Sequence, residues 1–267
     1  MPLRGGGFQP RPSRWVSAAT LIGLIAVWEY GACRSGLAQS LGCAPFISPL
    51  VLPAPSEALA ALADLWRSGE LGRHVGASLR RLLLGFALGA SCGVAVGVLI
   101  GLFSLARGAL APLAAALFPI PKIALLPLFV IWFGIDEGSK YALIALGTFT
   151  PMVVATYGGV DAVDRTLVRM GQSFGLSWWS IVRKIVLPGA LPAILSGLRV
   201  ALAIAIILLV AAEMLGAQYG VGAYVLEAGS LYDLERLFAG VTLLSIMGVG
   251  ANALIARTER RLLAWRG

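Results

Sequence analysis

Charged residues and metal ligands are scarce in this 267-residue sequence. Only 13% of the residues are charged, 58% are hydrophobic, and the mean hydropathy is +0.87. Soluble domains carry about 25% charged residues, so the composition predicts a membrane protein. The single histidine and the three cysteines lack the paired spacings of a zinc or redox site. The Gly-x-x-x-x-Gly-Lys-Ser/Thr phosphate loop is also absent, so we expect a chain that does not hydrolyse ATP.

The same scarcity argues against other functions. A membrane-embedded enzyme would need a metal-ligand cluster or a nucleophile elbow, and neither pattern occurs. A secondary transporter would need midplane carboxylates and inverted repeats, which we do not find. The net charge of +8 comes from basic residues scattered between apolar runs, without the dense patch of a nucleic-acid-binding protein. Cys33 and Cys43 can meet in an outer loop, although we favour free thiols.

Six segments are long and apolar enough to cross a bilayer core, which takes roughly 20 helical residues. They cover 15–33, 82–106, 107–136, 141–159, 190–212 and 237–256. The predicted fold is therefore all-α, a polytopic bundle of about six transmembrane helices. The third segment contains Lys122 and exceeds the core as one helix, so we expect its first part to lie at the cytoplasmic interface. Lys122 then either snorkels to that interface or lines an anion pathway.

The distribution of basic residues predicts the orientation. Their excess on one side places both chain ends in the cytoplasm, although Arg80 and Arg81 fall on the outer side and fit poorly. Pro55 and Ser56 begin a predicted amphipathic helix over 55–68 on the outer surface. We divide the chain into a basic cytoplasmic tail (1–14), a first span with the external helix (15–70), a transmembrane domain (71–257) and a basic cytoplasmic C-terminus (258–267).

Glycines recur at every fourth position of the second span. Such residues form a slowly winding groove on one helix face, where another helix can approach closely. The set is Gly85, Gly89, Gly93, Gly97 and Gly101. We predict a packing surface, and the functional alternative is a smooth seam along which helices slide during gating.

Residues 159–188 form a long polar interruption on the predicted cytoplasmic side, with the pattern of two short helices. Asp164 is a cap for the first, which we expect to bury Leu167, Val168, Gly171 and Phe174 and to end at Gly175. Ser177 is a cap for the second, whose apolar stripe is Trp178, Trp179, Val182, Ile185 and Val186. We expect Leu187-Pro188 to stop it. A helix this short needs a supporting surface, either lipid headgroups or a groove in a partner protein.

The end of this loop resembles a known family motif. Gly175 is followed by nine residues and then by Ile185, Val186, Leu187 and Pro188. The sequence is similar here to the permease subunits of ATP-binding-cassette importers, whose motif reads Glu-Ala-Ala, three residues, Gly, nine residues, Ile-x-Leu-Pro. Resemblance to their sulfonate, nitrate and taurine subfamily extends from Leu52 onward, for example through PIPKIALLPLFVIWFGI at 119–135 and AAEMLGAQYGVG at 211–222.

The resemblance implies a type I importer fold in the bacterial inner membrane and a homodimer of this chain. It implies two separate ATP-binding-cassette subunits, which bind the ATP and Mg, an external solute-binding protein, and no cofactor in this chain. The loop would dock into the ATPase, with these residues involved: Arg169, Gly171, Gly175, Leu176, Ser177, Trp178, Trp179, Val182, Ile185, Leu187 and Pro188. Arg169 stands where the family has Glu, so either the ATPase carries a compensating acid or this contact is dispensable.

Three charged residues within or beside the spans are candidates for the translocation pathway or gate: Lys122, Arg199 and Glu213. Arg199 is too deep for easy snorkelling, so we expect it to face the interior or to pair with another span. Glu213 is its distant counterpart, part of an outer gate, or a solvated interfacial carboxylate. The Gly-rich segment 212–229 either receives the binding protein or is a mobile loop. Two basic residues in the pathway would suit an anion such as a sulfonate or nitrate, although relatives also import bicarbonate, aromatic acids and pyrimidine precursors.

Overall fold

The structure is a computed structural model that describes residues 14–32 and 51–264. Within these ranges all regular secondary structure is helical. The α-helices are α1 (Arg14–Ala32), α2 (Pro55–Arg67), α3 (Glu70–Leu102), α4 (Ser104–Leu117), α5 (Leu126–Phe133), α6 (Glu137–Asp161), α7 (Arg165–Ser173), α8 (Trp178–Ile181), α9 (Leu187–Met214), α10 (Val221–Ser230) and α11 (Leu234–Leu262). A 3₁₀ turn (Lys122–Leu125) precedes α5, and a π turn (Val182–Val186) joins α8 to α9. Cys33, Cys43 and most of the predicted N-terminal tail lie outside the described residues.

The predicted bundle of about six spans is confirmed. Five helical stretches in the described ranges are long and apolar enough to cross a membrane, and α4 with the 3₁₀ turn and α5 meets the same criteria as a bent pair, which gives up to six. Helix α3 begins at Glu70, twelve positions before the predicted boundary at Leu82. The early turns of α3 are polar, but His74, Ser78 and Arg81 are buried with protein partners, so the helix continues beyond the apolar stretch.

The third predicted segment, which is too long for one straight span, is broken into two helices. Its two halves meet at a bend of 90° between Leu117 and Lys122. Pro119 and Pro121 lie in this break. Proline lacks a backbone N–H and disfavours helical geometry in the residue before it, so two prolines in three positions interrupt the helix.

Helices α3, α6 and α9 form the centre of the fold. All five glycines of the α3 repeat lie against α6, where an added Cβ would meet α6 atoms. A Cβ on Gly93 would lie 2.6 Å from the Met152 Cβ, and one on Gly97 would lie 2.6 Å from the Thr156 Cβ. On the other side of α6, Gly159 leaves room for Ala190 and Ala193 of α9. Small residues therefore allow the three helix backbones to approach closely.

Helix α2 confirms the predicted amphipathic helix. Its Leu65 packs in a cluster with Val221, Tyr224 and Leu243, which places α2 against α10 and α11. Helix α1 meets this part of the fold at its C-terminal end. The Ser56 N–H and hydroxyl donate to the Glu29 carboxylate at 3.0 and 2.7 Å, so a charge within the first span serves as a link between α1 and α2.

Candidate functional site

The loop between α6 and α9 begins with a capped helix. The Asp164 carboxylate accepts the Thr166 N–H at 2.7 Å and caps α7. This backbone hydrogen bond holds the pKa of Asp164 below its ordinary value. Gly175 ends the turn with a φ of 71°, a conformation that favours glycine. The predicted cap and stop signals of this short helix are confirmed.

The second helix starts at its predicted cap but does not stop where expected. The Ser177 Oγ accepts the Ser180 N–H at 3.3 Å. Leu187-Pro188 was expected to end the helix, and this prediction is wrong: helical structure continues from Trp178 to Met214. The Leu187 N–H bonds to the Val182 carbonyl, five residues back, in a π turn. The widened turn accommodates Pro188, which has no N–H to donate and sits in the first turn of α9.

The predicted apolar faces of both short helices are only partly buried. In α7, Gly171 is buried and Val168 half-buried, but Leu167 is exposed and Phe174 is 78% exposed. The expected burial of Leu167 and Phe174 is therefore wrong. In the second helix, Val182 and Val186 are buried with Ile181, whereas Trp178 and Trp179 are 53% and 63% exposed. The loop rests on the bundle through its aliphatic residues, which fill a cluster with Val160 and Ala190.

We call the remaining exposed apolar side chains the apolar ridge: Leu167, Met170, Phe174, Trp178 and Trp179. The two indole rings stack with centroids 6.2 Å apart, and Trp178 lies 5.6 Å from the Phe103 ring. Contiguous exposed aromatic surface of this kind is typical of a binding surface, and tryptophans dominate the centres of interfaces.

Other residues of the predicted motif support the apolar ridge or lie beside it. A Cβ on Gly171 would lie 2.9 Å from the Ile185 Cδ1, so a small residue lets α7 lie on the π turn. Leu176 is 36% exposed. Arg169 is exposed beside the ridge, and the described ranges provide it with no ion-pair partner.

The structure does not bring the three pathway candidates together. The Lys122 Nζ donates to the Phe118 carbonyl at 2.5 Å and lies 5.5 Å from the centroid of the Phe118 ring. Arg199 pairs with Glu259 of α11, as expected for a charge within a span. Glu213 is not the counterpart of Arg199, and it is not a solvated carboxylate, since it is 1% exposed.

Glu213 belongs instead to a set of hydrogen-bonded side chains that the sequence analysis did not predict. We define the outer ion cluster, named for the predicted orientation of the chain, as Ser78, Arg81, Glu137 and Glu213. The Arg81 guanidinium donates to both Glu137 oxygens, at 2.5 and 2.8 Å, and to Glu213 at 2.8 Å. Ser78 donates to Glu213 at 2.7 Å. The cluster joins α3, α6 and α9, and Arg81 is 4% exposed.

The cluster also fixes the backbone that follows α9. The Gly222 N–H donates to Glu213 at 2.8 Å, and Arg81 donates to the Tyr219 carbonyl at 2.5 Å. The His74 Nδ1 lies 2.9 Å from the Gly220 carbonyl oxygen. A cavity of about 510 Å³ opens beside this loop, with His74 and Glu213 among its lining residues. The Gly-rich segment is therefore held in place at the bundle.

The sequence contained one indication of this cluster, the position of Arg81, but not the partners of Arg81. Arg80 and Arg81 contradicted the positive-inside pattern, and a basic residue on the outer side needs a local reason. For Arg81 that reason is two carboxylates from helices distant in sequence. Because both carboxylates already engage its guanidinium, Arg81 is not free to attract an anionic solute.

The fold and the two sites define a polytopic helical protein with an exposed apolar surface on the loop between α6 and α9. The sequence model of the family described as "Binding-protein-dependent transport system inner membrane component" matches residues 93–264. The chain is 36% identical to the putative aliphatic sulfonates transport permease protein SsuC of Bacillus subtilis, over 91% of this chain and 84% of that protein. It is 35% identical to the taurine transport system permease protein TauC of Escherichia coli, over 94% and 90%.

Among solved structures, an inward-facing MetNI methionine ABC transporter resembles this fold with a TM-score of 0.64 and 20% identity, covering 73% of this chain and 97% of that one. The chain belongs to the binding-protein-dependent transport system inner membrane component family. It is a multi-pass permease subunit of an ATP-driven importer and not an enzyme, because in this family a separate subunit hydrolyses the ATP. An ATPase and a solute-binding protein are its partners.

Proposed function

We propose that two copies of this chain form the translocation pathway for a small anionic solute of the sulfonate or taurine type. Two ATP-binding-cassette subunits would dock at the apolar ridges, and a solute-binding protein would deliver the solute from outside. Both chain ends would lie in the cytoplasm of a bacterium, with the chain in the inner membrane. ATP and Mg would bind to the ATPase subunits, and this chain would hold no cofactor.

The apolar ridge is the observation that carries this proposal. Trp178 and Trp179 are more than half exposed although neighbouring aliphatic residues are buried. Exposed tryptophans in a polar loop are typical of a surface that binds either the lipid interface or a groove in a partner protein. The ridge projects from a loop that also carries Arg165, Arg169 and Arg183, an excess of basic residues that favours the cytoplasmic side.

Photocrosslinking tests the docking directly. A photoreactive amino acid at position 178 or 179, in membranes that contain the full importer, should capture the ATPase subunit. Trp66 offers a matched control, since it is 73% exposed on α2 and belongs to the predicted outer surface. Capture at 178 and 179 but not at 66 supports the proposal. Capture of phospholipid alone at 178 and 179 overturns it.

Arg169 tests how far the family motif applies. The exposed guanidinium lies beside the ridge, where the family has Glu. If the ATPase carries a compensating acid, Arg169→Glu should strongly reduce ATPase activity that depends on the permease. Unchanged hydrolysis and uptake would show that the contact is dispensable, with Arg169 solvated.

The choice of an anionic solute rests on the relatives named for aliphatic sulfonates and taurine. Because the Arg199 charge is already countered by Glu259, Lys122 is the remaining candidate cation among the predicted pathway residues. We expect reconstituted vesicles to import taurine or an alkanesulfonate, and Lys122→Gln to slow this uptake. A cognate binding protein that retains only neutral solutes would contradict this choice.

A further inference from the structure

Trp178 of the apolar ridge and Glu213 of the outer ion cluster lie at opposite ends of one continuous helical stretch, which we call the helical rod. Helical structure runs for 37 residues, from Trp178 to Met214. At 1.5 Å per residue the rod is about 55 Å long, which exceeds the bilayer core of about 30 Å. Trp178 begins it and Glu213 is its penultimate residue. No loop interrupts the chain between Trp178 and Glu213.

The outer end of this rod is fixed to two other helices. Glu213 binds Ser78 and Arg81 of α3, and Arg81 in turn binds Glu137 of α6. Below the cluster, the glycine repeat brings α3 into contact with α6, and Gly197 of α9 lies against Ala155 of α6. Contacts along the length and at the outer end join the three helices.

The hydrogen bonds of the outer ion cluster favour a connection between α3, α6 and α9 that stays closed. Each Glu213 oxygen accepts at least one hydrogen bond, and Arg81 engages two carboxylates and a backbone carbonyl. Fully satisfied buried networks are rigid, and separation would leave charges without partners in a low-dielectric site. An outer gate that opened through this cluster would have to break these bonds in every transport cycle.

We infer that Arg81, Glu137 and Glu213 are positioning residues that keep α3, α6 and α9 together while the importer changes conformation. Movement at the apolar ridge then reaches the outer face as a rigid-body movement of the three helices, and the loop after α9 moves with them. This inference rests on the proposed docking of the ATPase at the ridge.

A disulfide lock tests whether the cluster opens. Ser78 of α3 and Val221 of α10 are neighbours, because the Val221 N–H donates to the Ser78 Oγ at 2.8 Å. The Ser78→Cys/Val221→Cys variant, with Cys33, Cys43 and Cys92 changed to Ser, would be reconstituted with its ATPase and binding protein. We expect oxidation to leave uptake of a radiolabelled solute unchanged. If oxidation abolishes uptake and reduction restores it, the cluster opens during transport and the inference is wrong.

Loss of the charge tests whether this connection transmits movement. Glu213→Gln preserves the side-chain shape but removes the charge opposite Arg81. We expect less solute to be imported per ATP hydrolysed, because the bond that holds α9 to α3 is weakened. Glu227→Gln is the control, since Glu227 is exposed on α10 outside the cluster. An unchanged ratio in Glu213→Gln overturns the inference, and if that variant fails to assemble, the disulfide lock decides.

The outcomes separate this inference from the proposed function. ATPase subunits should still be captured from positions 178 and 179 in Glu213→Gln, because the ridge lies at the other end of the rod. Capture with a reduced import ratio supports both. Absence of capture in the unmodified chain overturns the docking, whereas capture with an unchanged ratio overturns only the positioning role.

Discussion

At the inner end of the rod Trp178 and Trp179 are exposed, whereas at the outer end Glu213 and Arg81 are buried. Apolar side chains usually avoid water and charged side chains usually remain in it. Both ends depart from this rule, in opposite directions. The charges of the outer ion cluster have partners within the chain. The ring contacts of the two tryptophans among the described residues are with each other and with Phe103.

The difference indicates which part of the molecule is complete in a single chain. A network whose charged groups have their partners within the chain is complete without a second protein. An exposed apolar ridge contributes little to the fold and gains its free energy only when another surface covers it. Changes at the outer end should therefore lower stability, whereas changes at the ridge should affect assembly.

The largest loss of stability should follow from Arg81→Met. This change leaves the buried Glu213 carboxylate and the partly exposed Glu137 carboxylate without their cation, and breaking a buried ion pair costs about 3–5 kcal/mol. The midpoint of unfolding of the purified permease in a denaturing detergent titration measures the loss. Arg80→Met is the matched control, because Arg80 is the exposed neighbour. Equal losses in the two variants would contradict the distinct role of Arg81.

A smaller loss should follow from Gly89→Ala, which tests the helix contact between the two ends. The added Cβ would meet the Ala145 carbonyl oxygen of α6, and overpacking typically costs about 1–3 kcal/mol. Gly76→Ala in the same helix has open space around the new Cβ and should be neutral or slightly stabilising. The same unfolding titration measures both, and a neutral Gly89→Ala would argue against close packing there.

Arg199→Met should have a weaker effect than either change. Its ion pair with Glu259 has side chains that are 44% and 24% exposed, and such pairs contribute about 0–1 kcal/mol. If Arg199 lined the pathway, its loss would reduce uptake far more than stability. Comparing the uptake rate with the unfolding midpoint decides between a link to α11 and a role in transport.

The smallest effect should come from the cap of α7. Asp164→Ala removes the acceptor for the Thr166 N–H, whereas Asp164→Asn keeps one. We expect Asp164→Ala to bind the ATPase slightly more weakly and Asp164→Asn to resemble the unmodified chain. Since the pKa of Asp164 is lowered, its ionic contribution is complete above the ordinary aspartate pKa and is lost as the pH falls through the lowered value. A larger effect of Asn than of Ala would contradict the capping role.

Features that depend on neighbouring residues could be predicted from the sequence, whereas features that depend on packing between distant residues could not. Caps at Asp164 and Ser177 and the helix at 55–67 follow from neighbouring residues, so the sequence predicts them well. The path of the chain through Pro188 was missed because a π turn depends on how the loop packs against α6 and α9. Burial within the ridge was misjudged because helical periodicity shows which residues share a face but not what covers that face.

The outer ion cluster required information that one sequence does not contain. Arg81, Glu137 and Glu213 are separated by more than fifty residues at each step, so no local spacing relates them. The sequence marks Arg81 as an unusual basic residue on the predicted outer side, but it does not indicate which residues pair with it. Glu213 was associated with Arg199 because both lie in the same span, although the nearer cation in space belongs to α3.

The affinity of the permease for its ATPase subunit tests the central claim most directly. The measurement would use the unmodified chain, Trp178→Ala/Trp179→Ala and the control Trp66→Ala in lipid nanodiscs. If the tryptophans anchor the interface, the double variant should lose at least about 2 kcal/mol, a roughly 30-fold rise in Kd, without a change in its unfolding midpoint. Equal Kd values for all three proteins would contradict docking at the apolar ridge.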